Sequence, residues 1–156
     1  MRPAEEFRYL VLAIQREGNR LLASALRPLD LTPSQAEVIR VLADDQPLTL
    51  GGLGERLVCE TGTNPSRLVD RLVTAGLVDR EPDPHDRRLI ALTLTDHGAT
   101  AATRIAEVES RLYETIDGLT EGTPMAETLA TLRAVAGRFP AGEALARRRE
   151  QQGAVA

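Results

Sequence analysis

The chain has 156 residues, 42% of them hydrophobic but only 3% aromatic and none Trp, so it makes one domain with a core of Leu, Ala, Val and Ile. That composition favours packed helices over a sheet sandwich. Its 19 cations, all arginine, face 23 carboxylates for a net charge of −4, which excludes a protein that clings to nucleic acid or membrane by bulk positive charge. Polyanion contact has to be local. The absence of lysine reads as codon bias.

From Phe7 the apolar residues Phe7, Leu10, Val11, Ile14, Leu21, Leu22, Ala25 and Leu26 fall on one helical face, and this first helix stops near Pro28. The run Thr32-Pro33-Ser34-Gln35 is a capping box with Pro at the first helical position, and it opens a second helix. Its inner face is Ala36, Ile39, Val41, Leu42 and Ala43, and it ends before Asp44-Asp45-Gln46-Pro47. After an extended Leu48-Thr49, Thr49 caps a third helix carrying Leu50, Leu53, Leu57 and Val58. Gly51, Gly52 and Gly54 weaken it by about 1 kcal/mol each, so it depends on tertiary packing or starts late.

A turn through Glu60-Thr61-Gly62-Thr63 leads to Asn64-Pro65-Ser66-Arg67, the start of a fourth helix that buries Leu68, Val69, Leu72 and Val73 and stops at Gly76. Val78 to Glu81 and Arg88 to Leu94 then read as a hairpin, with Ile90, Leu92 and Leu94 alternating toward one face. Thr95 caps a fifth helix with Ala101, Ile105, Val108, Leu112, Ile116 and Leu119 at heptad-like steps. A sixth, with Met125, Leu129, Leu132, Ala136 and Phe139, follows the break at Gly118 to Pro124 and ends at Pro140. The remainder has Arg147-Arg148-Arg149 but little to bury, and is expected to fray.

Two helices joined by a short turn and followed by a hairpin outline a winged helix-turn-helix. The segment from Leu57 to Leu77, with Ser66-Arg67-Leu68-Val69-Asp70-Arg71-Leu72-Val73 and on to Arg80, resembles the recognition helix and first wing strand of MarR-family transcriptional regulators. Asp86-Arg87-Arg88, then Leu92-Thr93-Leu94-Thr95 and Gly98, resembles that family's wing and the start of its next helix. Together the motifs cover roughly residues 5 to 140, in the right order. The Gly-rich third helix and a turn about one residue longer than usual depart from the pattern.

The resemblance implies a mainly α fold with a small β-hairpin wing, the winged helix-turn-helix being flanked by dimerisation helices. It divides the chain into an N-terminal dimerisation helix (1–30), the DNA-binding module (31–96), C-terminal dimerisation helices (97–140) and the tail (141–156). The function implied is that of a ligand-responsive repressor, a homodimer on a pseudo-palindromic double-stranded DNA operator. The small-molecule effector would be of aromatic or phenolic class. From pattern alone, the seams on the terminal helices fit a dimer interface and an internal core equally well.

Candidate DNA contacts are Thr63, Asn64, Ser66, Arg67 and Arg71 on the recognition helix and Arg87 and Arg88 on the wing. Asn and Arg can bond base edges bidentately, hydroxyls at a helix start suit phosphate, and an arginine suits a narrow minor groove. Asp86 and Arg80 are read as wing supports, with Asp70 orienting an arginine; for Arg71, a salt bridge with Asp70 is the competing assignment. Arg16 and Arg20 are candidates to hold an anionic effector.

No cofactor or metal is expected: His85, His97 and Cys59 do not sit at ligand spacing, and a lone cysteine cannot close an internal disulfide. Cys59, at the end of the third helix, is read as a small packing residue ahead of an oxidant sensor. No apolar run approaches the roughly 18 residues of a membrane span, and cytoplasm is the expected compartment. An enzyme is rejected, since Gly51-Gly52-Leu53-Gly54 lacks the context of a dinucleotide fingerprint and no nucleophile–base pair appears. The alternative is a winged-helix adaptor without specific DNA binding, which the charge tolerates: Gly51 to Thr95 holds six arginines against seven carboxylates.

Overall fold

Side-chain caps decide where three helices of the fold begin. In the computed structural model, which describes residues 1–59, 65–83 and 86–155, the Thr32 hydroxyl accepts from the Gln35 amide at 3.3 Å and the Gln35 side chain accepts from the Thr32 amide at 2.9 Å. This capping box opens α2 (Pro33–Asp44), which follows α1 (Pro3–Leu26) and a 3-10 turn at Arg27–Leu29. Thr49 accepts from the Gly52 amide at 3.1 Å to open α3 (Leu50–Gly54). Thr95 accepts from the Gly98 amide at 2.9 Å to open α5 (Asp96–Thr120), after α4 (Pro65–Thr74). Each such cap is worth about 1 kcal/mol.

The third helix neither starts late nor reaches Val58: it starts at its cap and ends after five residues. Three glycines in those five residues leave too little helix propensity to propagate. Leu53 and Leu57 are buried all the same, held by the core and not by a continuous helix.

The hairpin strands β2 (Val78–Pro82) and β3 (Ile90–Leu94) pair antiparallel, with Val78 opposite Leu94 and Arg80 opposite Leu92. The extended Leu48-Thr49 becomes β1, which pairs on the other side of β3, so the sheet has three strands in the order β1-β3-β2. Leu92 is buried and Leu94 packs on the core rim, but Ile90 is exposed, so the alternation holds only over the half of the hairpin above the core.

The core is Leu26 of α1, Val38, Ile39 and Leu42 of α2, Leu53, Val69 and Leu72 from α3 and α4, Val78 and Leu92 from the sheet, and Ile105 of α5. Burying each such side chain stabilises by about 1.5–3 kcal/mol. Ala43, expected inside, faces out. The heptad-like seam of the fifth helix divides: Ala101, Ile105 and Val108 join the core, while Ile116 and Leu119 are exposed. The stripe of α1 divides likewise, with Leu22 and Leu26 packed and Phe7, Leu10, Val11 and Ile14 exposed.

Beyond α6 (Met125–Ala136), the tail expected to fray is a helix, α7 (Pro140–Val155). Its Ala, Leu, Glu, Arg and Gln residues are strong helix formers, and its anchors to the rest of the chain are mostly polar, so a search for apolar spacing passes over it.

One close approach ties the end of α4 and the start of the hairpin to α5. Thr95 donates its hydroxyl to the Gly76 carbonyl at 2.7 Å and its amide to the Leu77 carbonyl at 3.2 Å, and Gly98 lies directly against Leu77. A Cβ on Gly98 would stand 2.0 Å from the Leu77 carbonyl oxygen. Gly98→Ala is therefore expected to destabilise by about 2 kcal/mol or more in urea denaturation, through a backbone clash that cannot relax locally. Gly118→Ala, in the same helix with open space around it, is expected to stabilise by about 0.4–1 kcal/mol.

Candidate nucleic-acid interface

The fourth helix puts Leu68, Val69 and Leu72 into the core and leaves Arg67, Asp70, Arg71 and Thr74 on the outer face. Asp70 is claimed by Arg80 of β2, whose guanidinium donates to its carboxylate. The recognition helix and the wing are thus pinned by an ion pair, and Arg71 is not the partner of Asp70. The side chains of Arg67 and Arg71 form no hydrogen bond or ion pair among the described residues. Ser66 sits half-buried in the first turn and already has an interaction. Thr63 and Asn64 lie outside the described residues.

On the wing, Arg88 grips Asp86 in a two-pronged contact, Nε to Oδ1 at 3.0 Å and NH2 to Oδ2 at 2.9 Å, and its amide donates to Oδ1 at 3.1 Å. The Asp86 amide in turn donates to Asp83 at 3.0 Å, and the Leu89 amide to the Asp86 carbonyl at 2.8 Å. Arg88 is nevertheless 89% exposed, so its guanidinium is oriented without being hidden. Its hydrogen bonds hold the Asp86 carboxyl below the usual carboxylate range, and Asp86 raises Arg88 in return. Arg87 is exposed beside them, with no partner among the described residues.

Sequence reasoning missed what delivers α4. Glu37 of α2 is 8% exposed, and its two carboxylate oxygens accept from the amides of Val58 and Cys59, both at 2.9 Å. Those amides precede α4 in the chain, so the carboxylate holds the backbone at Val58 and Cys59. The signal was a single acid inside the apolar run Ala36, Val38, Ile39. Cys59 itself is exposed, and His97 is exposed in the first turn of α5. His85 lies outside the described residues, and among the described ones no group of three His, Cys, Asp or Glu is placed to hold a metal.

Between α1 and α5 lies an open, mainly apolar groove of about 310 Å³, lined by Leu21, Leu22, Ala25, Val108, Arg111, Leu112 and Thr115. Its cation is Arg111. Arg16 is exposed elsewhere on α1, and Arg20 is paired with Glu17 at 2.8 Å on the surface. Nearby, Arg40 of α2 bonds Glu109 of α5 at 3.1 Å; burial pushes the Glu109 carboxyl up against the opposing pull of Arg40.

The profile of the MarR family matches residues 29–89, from the end of the 3-10 turn that follows α1 to the residue before β3. The multiple antibiotic resistance protein MarR of Escherichia coli is 34% identical over 90 residues, 58% of this chain and 62% of that one. Over that span the chain is similar to MarR-family proteins. The chain spans about 62% of the length of this curated MarR relative. Two solved MarR-type structures extend the likeness to the flanking helices. A mutant Escherichia coli MarR complexed with operator DNA superposes with a TM-score of 0.68 at 29% identity, covering 85% of this chain and 92% of that one. The Staphylococcus aureus MepR–DNA complex superposes with a TM-score of 0.77 over 85% and 98%, and at 21% identity it speaks to fold alone.

The arginine fork in this MarR-type wing has a pH signature. Because the folded-state pKa of Asp86 lies below the ordinary 3.8, the pairing is fully present above the carboxylate range and is lost only as pH falls through the lowered value. In a carboxyl-carbon NMR titration, Asp86 is expected to titrate below 3.8 and to return toward it in Arg88→Ala. An unmoved midpoint in that variant contradicts the fork.

Proposed function

We propose that the chain is a DNA-binding transcriptional repressor that reads a pseudo-palindromic operator as a homodimer and is released by a small organic effector. The observation that carries the DNA reading is the placement of cations. An acidic chain leaves Arg67 and Arg71 unpaired on the outer face of α4 and holds Arg88 fully exposed at the wing by its own carboxylate. Arg67 and Arg71 suit base edges in the major groove, Arg88 a narrow minor groove, and Arg87 phosphate. Among the similar solved structures, the Escherichia coli MarR mutant is itself a complex with operator DNA.

Dimerisation is supported by apolar surface that one chain does not bury. Phe7, Leu10, Val11 and Ile14 on α1, Ile116 and Leu119 on α5, Leu129 and Leu132 on α6, and Phe139 just beyond α6 are all exposed. Ile14 is 73% exposed although it lies in the helical stripe that further along packs into the core. So much apolar surface on three helices suits a self-complementary interface. The effector reading rests on the groove between α1 and α5, where Arg111 and Thr115 stand among leucines and suit a small acid with an apolar body. Occupancy acts only if the DNA-competent and incompetent arrangements bind it unequally.

The test is a footprint and gel shift on the promoter region of the protein's own gene, with Arg67→Ala and Arg88→Ala beside the parent. A sequence-specific complex at moderate salt is expected. Loss of a base-reading arginine should cost about 1–3 kcal/mol per half-site and relax specificity, whereas loss of a phosphate contact weakens all sequences alike. The salt slope is expected to be shallow for a DNA binder, since few cations are available per chain. Absence of any specific complex favours the adaptor instead. For the dimer, light scattering after size exclusion is expected to give twice the chain mass for the parent and a monomer for Ile14→Asp/Leu132→Asp; a monomeric parent rejects the homodimer.

A further inference from the structure

The C-terminal helix reaches the DNA-binding module through one face. Ala144, Arg147, Arg148 and Gln151 lie within two turns of each other on the same side of α7. Ala144 is buried, Arg147 Nε donates to the Glu55 carbonyl at 3.1 Å, Arg148 NH1 donates to Glu37 Oε1 at 3.0 Å, and Gln151 Nε2 donates to Asp45 Oδ2 at 2.8 Å. The return of the chain is tight: a Cβ on Gly142 would stand 2.0 Å from the Ala136 carbonyl oxygen, so α7 folds back against the end of α6 only with glycine there. The three acceptors all lie on the segments that frame α3.

Of these contacts, the one to Glu37 reaches furthest. Glu37 is a nearly buried carboxylate whose two oxygens hold the Val58 and Cys59 amides just ahead of α4. The nearer arginines are committed elsewhere, Arg40 to Asp44 and Glu109 and Arg56 to Asp45 and the Gly52 carbonyl, and the cation paired with Glu37 is Arg148. A carboxylate out of water without a cation is strongly disfavoured, so in the absence of Arg148 it would turn toward solvent. That response loosens its hold on the Val58 and Cys59 amides, which precede α4 in the chain.

We propose that Arg148 is a positioning residue for operator binding. It acts through Glu37 on the segment that delivers α4, and α7 is therefore a working part of the DNA-reading head. The proposal rests on the DNA-binding function above. It does not place Arg148 on DNA.

The test uses the full chain and two probes: a duplex that the parent protein selects from a random-sequence pool, and a scrambled duplex of the same composition. Arg148→Ala is expected to weaken the selected duplex by about tenfold with little change on the scrambled one, as fits loss of a positioning contact and not of a phosphate contact. Arg148→Lys restores most of the affinity, and Arg149→Ala, an exposed neighbour, behaves as the parent. In a Glu37→Gln background, where no buried charge needs a cation, adding Arg148→Ala brings less than about a twofold further loss. Independently, hydrogen exchange at the Val58 and Cys59 amides speeds up in Arg148→Ala while the Ile39 amide stays protected, a local readout that general loss of stability would not give. Equal loss on both duplexes, an equal effect of Arg149→Ala, or unchanged exchange at Val58 and Cys59 overturns the proposal. If the parent selects no sequence from the pool, the DNA-binding function falls first and the proposal with it; if the parent selects and Arg148→Ala binds like it, only the proposal falls.

Discussion

A single carboxylate stands at the centre of this molecule. Glu37 is carried by the most buried helix of the fold and turned toward backbone amides that precede the recognition helix. Hydrogen bonds to an ionised acceptor are stronger than those between neutral groups, and in a nearly buried site their geometry is enforced. The Gly-rich α3 is too short to direct the chain by its own propensity. The chain just after α3, at Val58 and Cys59, is held instead from α2, by an acid whose charge is balanced by the C-terminal helix.

The rest of the fold arranges two kinds of surface around that centre. Inside, leucines and valines from every element of the module bury one core; outside, α1, α5 and α6 carry apolar residues away from it. The groove between α1 and α5 lies where these two regimes meet, next to the Arg40 to Glu109 bridge that ties α2 to the long helix. A molecule entering that groove would press on the helix that Gly98 and Thr95 join to the wing.

What the sequence disclosed follows from how local each interaction is. The caps at Thr32, Thr49 and Thr95 involve partners three residues away, and each could be read directly. The wing fork was within reach because Asp86 and Arg88 are two residues apart and their motif is distinctive. The third strand was not, because Leu48 finds Leu92 only after the chain has built a hairpin. The tail was misread for a different reason: α7 docks mainly by hydrogen bonds and ion pairs to Glu37, Asp45 and Glu55, over 90 residues earlier, and such docking leaves almost no apolar periodicity. Glu37 did leave a mark, an acid within an apolar run, whose meaning depended on amides and an arginine that the helix pattern cannot show.

The pairing of β1 with β3 limits how the molecule can move. One outer strand continues into α3 and the other leaves α4, and Arg80 of β2 holds Asp70 of α4, so the hairpin is tied to α4 both along the chain and by an ion pair. A shift of α4 then draws β2 with it, and through β3 it reaches β1 and the start of α3.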